Sequence, residues 1–146
     1  MTFREALPAC LQNACLKGKQ AVKHEHRDSI TCGESCRFSS GINLDKALME
    51  THRHDHRWDY GLGLKRTGTI KDEIVWVEIH PASKGDEVLR KLIWLKDWIN
   101  NEAPRLNQLV KHPVYYWITT GVGVPKHLLR KFHAAGLMTR RKIVLS

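Results

Sequence analysis

No apolar run in these 146 residues approaches the about 20 that a helix needs to cross a bilayer, which excludes a helical membrane span as the organising element. Near the N-terminus, Arg4, Glu5 and Pro8 interrupt what would be the apolar core of a secretion signal, so the expected location is the cytoplasm, with no membrane partner. Cysteine stops early. Cys10, Cys15, Cys32 and Cys36 all fall in the first quarter of the chain, and the rest of the fold must hold together without crosslinks. Without an export signal, these four read as free thiols or metal ligands rather than a disulfide framework. There is no internal repeat and no low-complexity tract, and 42% hydrophobic with 27% charged residues is a globular composition, not a disordered one. Acids are also in short supply: 15 stand against 24 lysines and arginines, a formal charge of +9. Such a surface steers polyanions toward it, so nucleic acid is the leading partner, with DNA ranked ahead of RNA, and homodimerisation is left open.

The length suits one domain with a real core. Phe3, Leu7, Leu11, Cys15 and Val22 recur at helix-like intervals, predicting a helix over 2–23 with Lys17, Lys19 and Lys23 toward its C-terminal end. Residues 24–41 read as an irregular crossing, and Asn43 caps a short helix through about His52. Two strands follow, separated by a turn around Gly68. Val88, Leu92, Leu95, Ile99, Ala103, Leu106 and Val110 then form one helical stripe, which Pro104 should kink or restart. Val114–Thr119 reads as a strand, 125–135 as a helix opened by proline and stopped by Gly136, and Ile143–Leu145 as a last short strand. The expected fold class is α/β, a small mixed sheet flanked by helices.

The chemistry concentrates in the strand pair. Acids sit inside Trp58-Asp59-Tyr60-Gly61-Leu62 and Glu73-Ile-Val-Trp-Val-Glu78-Ile-His80, runs that otherwise read as consecutive strands. Strand alternation points Glu78, His80 and Trp76 one way and Val75, Val77 and Ile79 the other. Hairpin pairing would bring Asp59 beside Glu78, giving two carboxylates and an imidazole suited to a hard cation. The competing reading is a decorated, solvated strand face.

This order of elements, with an acid on one strand, Glu-x-His on the next and a long amphipathic helix after, resembles the PD-(D/E)xK nuclease-like superfamily. The resemblance covers roughly residues 43–146 and rests on layout. It implies a restriction-endonuclease-like core preceded by a helical, His/Cys-containing extension over 1–42. It further implies a magnesium- or manganese-dependent hydrolysis of phosphodiester bonds. Asp59 looks like the metal-binding acid and Glu78 like the acid of the second motif, with Glu50 as a further acidic ligand or simply an exposed helix residue. The family usually places lysine two residues after that acid, where this chain has His80. His80 can itself serve as a base, or a migrated lysine can take the role, Lys91 on the long helix or Lys84 on the loop before it.

Outside that centre, His24, His26, Cys32 and Cys36 place four zinc-type ligands within 13 residues, at spacings that match no common finger. His52, His54 and His56 would share a face if their segment were extended, or else form a solvated basic connector. Trp76 is the tryptophan expected to contact substrate, the others being core. Lys126, Arg130 and Lys131, with Arg140, Arg141 and Lys142 beyond them, form the densest basic region and are expected to hold phosphates. The rival readings are a noncatalytic nucleic-acid-binding module with the same fold, and a zinc-stabilised interaction module.

Overall fold

The computed structural model describes residues 1–110 and 112–146. The centre is a six-stranded mixed sheet in the order β1 (Leu16–Lys17), β3 (Cys36–Asn43), β4 (Tyr60–Arg66), β5 (Glu73–Pro81), β6 (Val114–Thr120), β7 (Leu137–Arg140). The first three pairings are antiparallel and the last two parallel. A separate parallel pair joins β2 (Ile30–Cys32) to β8 (Ile143–Leu145). The helices are α1 (Phe3–Ala6), α2 (Leu44–Ala47), α3 (Gly85–Glu102) and α4 (Lys126–Ala134). The α/β class expected from the sequence is therefore present.

Alternation divides the sheet into two apolar faces. Trp76 and Trp117 point toward α3 and α4, where Val88, Leu92, Leu95, Trp98 and Phe132 complete a core with Phe3 and Trp58. Tyr60, Leu62, Leu64, Val75, Val77 and Ile79 point the other way, against Val22, Ile30 and Ile143. Each large aliphatic or aromatic side chain buried this way contributes about 1.5–3 kcal/mol. Both faces are covered, so β4 and β5 read as nearly continuous apolar runs and any charged residue in them stands out.

The N-terminal third departs most from expectation. The helix predicted over 2–23 is a single α-turn at Phe3–Ala6 followed by a 3-10 segment at Ala9–Ala14. Pro8 is the cause. Its ring disfavours the helical conformation of the residue before it, and Leu7 is extended at φ −70°, ψ 152°. The stretch read as irregular holds β2 and β3, and β3 pairs on both sides within the central sheet. Asn43 caps α2 as expected, its Oδ1 accepting from the Lys46 N–H at 3.0 Å, but the helix ends at Ala47 and turns follow to residue 55. At the other end of the long helix, α3 stops at Glu102 and Pro104 restarts the chain as a 3-10 turn, as its missing N–H requires.

Candidate functional site

Asp59 immediately precedes β4, and the β4–β5 ladder ends at the pair Tyr60–Val77, so Asp59 and Glu78 are the next pair out. Side chains take over from the backbone there. The Asp59 N–H donates to Glu78 Oε1 at 3.0 Å, and the Ile79 N–H donates to Asp59 Oδ2 at 2.9 Å. The two carboxylates thus sit on one face at one end of the sheet, as strand pairing and alternation predict. Gly61 allows the close approach that holds this end shut: a Cβ there would lie 2.6 Å from the Trp76 ring.

Glu78 is completely buried. Its Oε2 accepts from Lys91 Nζ at 2.7 Å and lies 2.7 Å from His80 Nδ1. His80 Nδ1 is also 2.9 Å from the Ile79 carbonyl oxygen; with acceptors on both sides, Nδ1 carries the proton. His80 Nε2 lies 3.5 Å from Glu87 Oε1, and Lys91 Nζ 3.9 Å from Asp59 Oδ1. Lys91 reaches the site from α3, one turn past Val88, with its stem buried along the Leu92 side of the helix.

Burial, reinforced by the neighbouring Glu78 charge, pushes the Asp59 carboxyl up to about 7 despite the opposing pull of Lys91. His80 is raised as well, mainly by its hydrogen bond to Glu78, which outweighs burial and the Lys91 charge. For Lys91, burial pulls downward, but the charges of Glu78 and Asp59 and the hydrogen bond to Glu78 win, and the net shift is upward. Ligand atoms of Asp59, Glu78 and His80 all lie within 4.8 Å of one another, and among the described residues no other group of three or more histidine, cysteine or acidic ligands converges so closely.

Several expected participants lie elsewhere. Glu50 is exposed on the turn after α2 and is outside the converging group. Trp76 does share a face with Glu78, but at 1% exposure, packed edge-on against Phe3, it belongs to the core and cannot stack on a base. The zinc quartet is not assembled. His26 Nδ1 bonds the Tyr60 hydroxyl at 3.2 Å, His24 is exposed, and Cys32 Sγ donates to the Cys36 carbonyl at 3.2 Å. Nor do His52, His54 and His56 share an extended face; their segment is a series of turns, and His52 binds Glu102 at 3.0 Å. Lys84, Lys126 and Arg130 are exposed, whereas Lys131 is partly neutralised by Asp86 at 3.1 Å. Glu87, which faces His80, was missed by sequence reasoning; its place on the first turn of α3, one turn before Lys91, is the signal that could have found it.

No family model matches the chain, and comparison with curated proteins and with solved structures likewise finds no match.

Proposed function

We propose that the chain is a divalent-metal-dependent nuclease of the PD-(D/E)xK-like type, hydrolysing phosphodiester bonds in nucleic acid at the Asp59–Glu78 pair. One observation carries the reading: two carboxylates, an imidazole and an ammonium meet at one end of the sheet, inside a chain of charge +9. The donor set fits magnesium or manganese, because Asp59 and Glu78 bring two hard carboxylates together and, among the described residues, Asp59 Oδ1 has no partner nearer than Lys91. Such an ion, when bound, neutralises phosphate charge and lowers the pKa of an attacking water. Asp59 and Glu78 would hold it. His80, protonated at Nδ1 by the Glu78 and Ile79 acceptors, keeps Nε2 as the atom that can orient or deprotonate water when the ring is neutral. Lys91 supplies positive charge beside the acids and stands in the role the family gives to the lysine that His80 replaces.

The test is cleavage of a labelled oligonucleotide. Magnesium or manganese should support it and calcium should not, and Asp59→Ala or Glu78→Ala should abolish it. His80→Ala should cost on the order of a hundredfold or more if histidine orients the water; if Lys91 does, Lys91→Ala carries that loss instead. Cleavage that survives removal of both acids overturns the proposal. A noncatalytic nucleic-acid-binding module is the second reading, and it is favoured by the way Lys91 and His80 already occupy Glu78 Oε2. Metal-independent binding without turnover would select it.

A further inference from the structure

The acids sit at one end of a row. Strands β5, β6 and β7 run parallel, so their carboxyl ends lie together, and β4 runs against β5, so Asp59 at its start joins the same end. The register places Thr119 beside His80 and Thr139 beside Trp117, so the edge reads Asp59, then Glu78 and His80, then Thr119, then the end of β7 at Arg140. The carboxyl ends of parallel strands are where open α/β sheets receive ligands.

A cleft of about 340 Å³ opens beyond Thr119, lined by Thr139, His133 of α4, Arg140 and Arg141 among others. It contains no acidic lining residue, while three of its side chains are cationic or can become so. Its arginines are held from behind. Arg140 Nη1 donates to the Thr139 carbonyl at 2.8 Å, and Arg141 Nη2 donates to the Gly121 carbonyl at 2.7 Å. Each guanidinium has five N–H donors, so each retains others for a ligand, in a planar fork that matches phosphate oxygens. Val124 and Leu129 add an apolar part to the cleft lining.

Strand spacing sets the distance. Two strand steps separate β5 from β7, roughly 10 Å, and a duplex strand advances about 3.4 Å per phosphate along its axis. The cleft therefore lies within a few phosphates of the carboxylates. We propose that the cleft bounded by Thr119, His133, Arg140 and Arg141 holds a backbone phosphate flanking the one at the Asp59–Glu78 pair, so that the nucleic-acid strand crosses the ends of β5, β6 and β7 in that order. The inference rests on the nucleic-acid reading of the Asp59–Glu78 site and adds a path to it. It also shifts the binding role from Lys131, which Asp86 engages, to Arg140 and Arg141 at the end of β7.

Fluorescence anisotropy with a labelled DNA duplex in calcium tests it, comparing the wild type, Arg140→Ala/Arg141→Gln, and the control pair Lys17→Ala/Arg37→Ala on the opposite side of the sheet. All four positions are exposed, so each variant should fold; its circular dichroism melt checks this. The arginine pair should weaken binding about tenfold more than the control at low salt and lower the log–log salt slope by about 1 for each phosphate that is no longer neutralised. Equal affinities and slopes for the two double variants, with wild-type binding intact, would overturn the subsite and leave the nuclease reading standing. A wild type that binds neither DNA nor RNA in dilute buffer would overturn both.

Discussion

Lys91→Met is the perturbation that asks most of the site. Methionine keeps most of the aliphatic stem against α3 and the sheet but removes the ammonium 2.7 Å from a carboxylate with 0% exposure. Removing one partner of a buried ion pair typically costs about 3–5 kcal/mol, because the remaining charge stays buried without compensation. The low end applies, since Glu78 keeps the Asp59 N–H and His80 Nδ1. Urea denaturation at pH 7 should show a loss of about 3 kcal/mol at unchanged m, and Tm should fall by about 6–12 °C. Glu78→Gln/Lys91→Met should recover much of that loss, giving a coupling energy of about 2 kcal/mol. A coupling below about 0.5 kcal/mol would refute the reasoning. It would mean that water reaches the pair and that Lys91 sits at a wet rim.

Asp59 makes stability depend on pH. Its folded pKa of about 7 lies above its ordinary 3.8, so its stabilising contribution is complete below about pH 4 and is lost as pH rises through 7; His80, also raised, acts in the same direction. The Asp59 contribution, read as the difference between wild type and Asp59→Asn, should drop by about 3 kcal/mol between pH 5 and 8, while His26, held low by burial, acts in the opposite direction in both proteins; equal slopes for the two would contradict the burial of this carboxyl. Gly61→Ala should cost about 1–3 kcal/mol in a thermal melt by forcing a methyl into the Trp76 ring, and a neutral substitution would show that the end of the β4–β5 hairpin yields to the extra methyl.

The site was legible for one reason. A sheet buried on both faces makes an ionisable residue in a strand conspicuous, and the spacing of Glu78 and His80 requires a common face. Asp59 followed from hairpin pairing, and Lys91 from its place beside the α3 stripe. Prolines mark real boundaries at Pro104 and Pro125, and Pro8 breaks a stretch in which Phe3, Leu7, Leu11 and Cys15 hold a helical spacing that packing uses without a helix. Strand β3 is hidden for a different reason: Cys36-Arg-Phe-Ser-Ser-Gly-Ile-Asn carries little β-propensity, and its place comes from β4 partners 17 to 30 residues away, with a register shift between Phe38 and Ser40 that blurs its alternation. Trp76 shows the limit of periodicity, which assigns a face but not a depth.

Glu78 and Lys91 together explain why this site is poised between two readings. Both Glu78 oxygens are engaged, Oε1 by the Asp59 N–H and Oε2 by Lys91 and His80, while Asp59 keeps Oδ1 3.9 Å from the ammonium. A divalent cation drawn to these acids therefore competes with Lys91 for the same negative charge, and with the proton that an Asp59 of pKa about 7 holds over part of the neutral range. Where the cation wins, the Lys91 ammonium would lose its partner on Glu78, and the proposed nuclease reading requires that outcome. Where Lys91 wins, the same residues form a closed clamp that finishes the β4–β5 ladder. The balance is set by the depth of Glu78, because an ammonium on a flexible stem and a doubly charged ion face different desolvation costs to reach it.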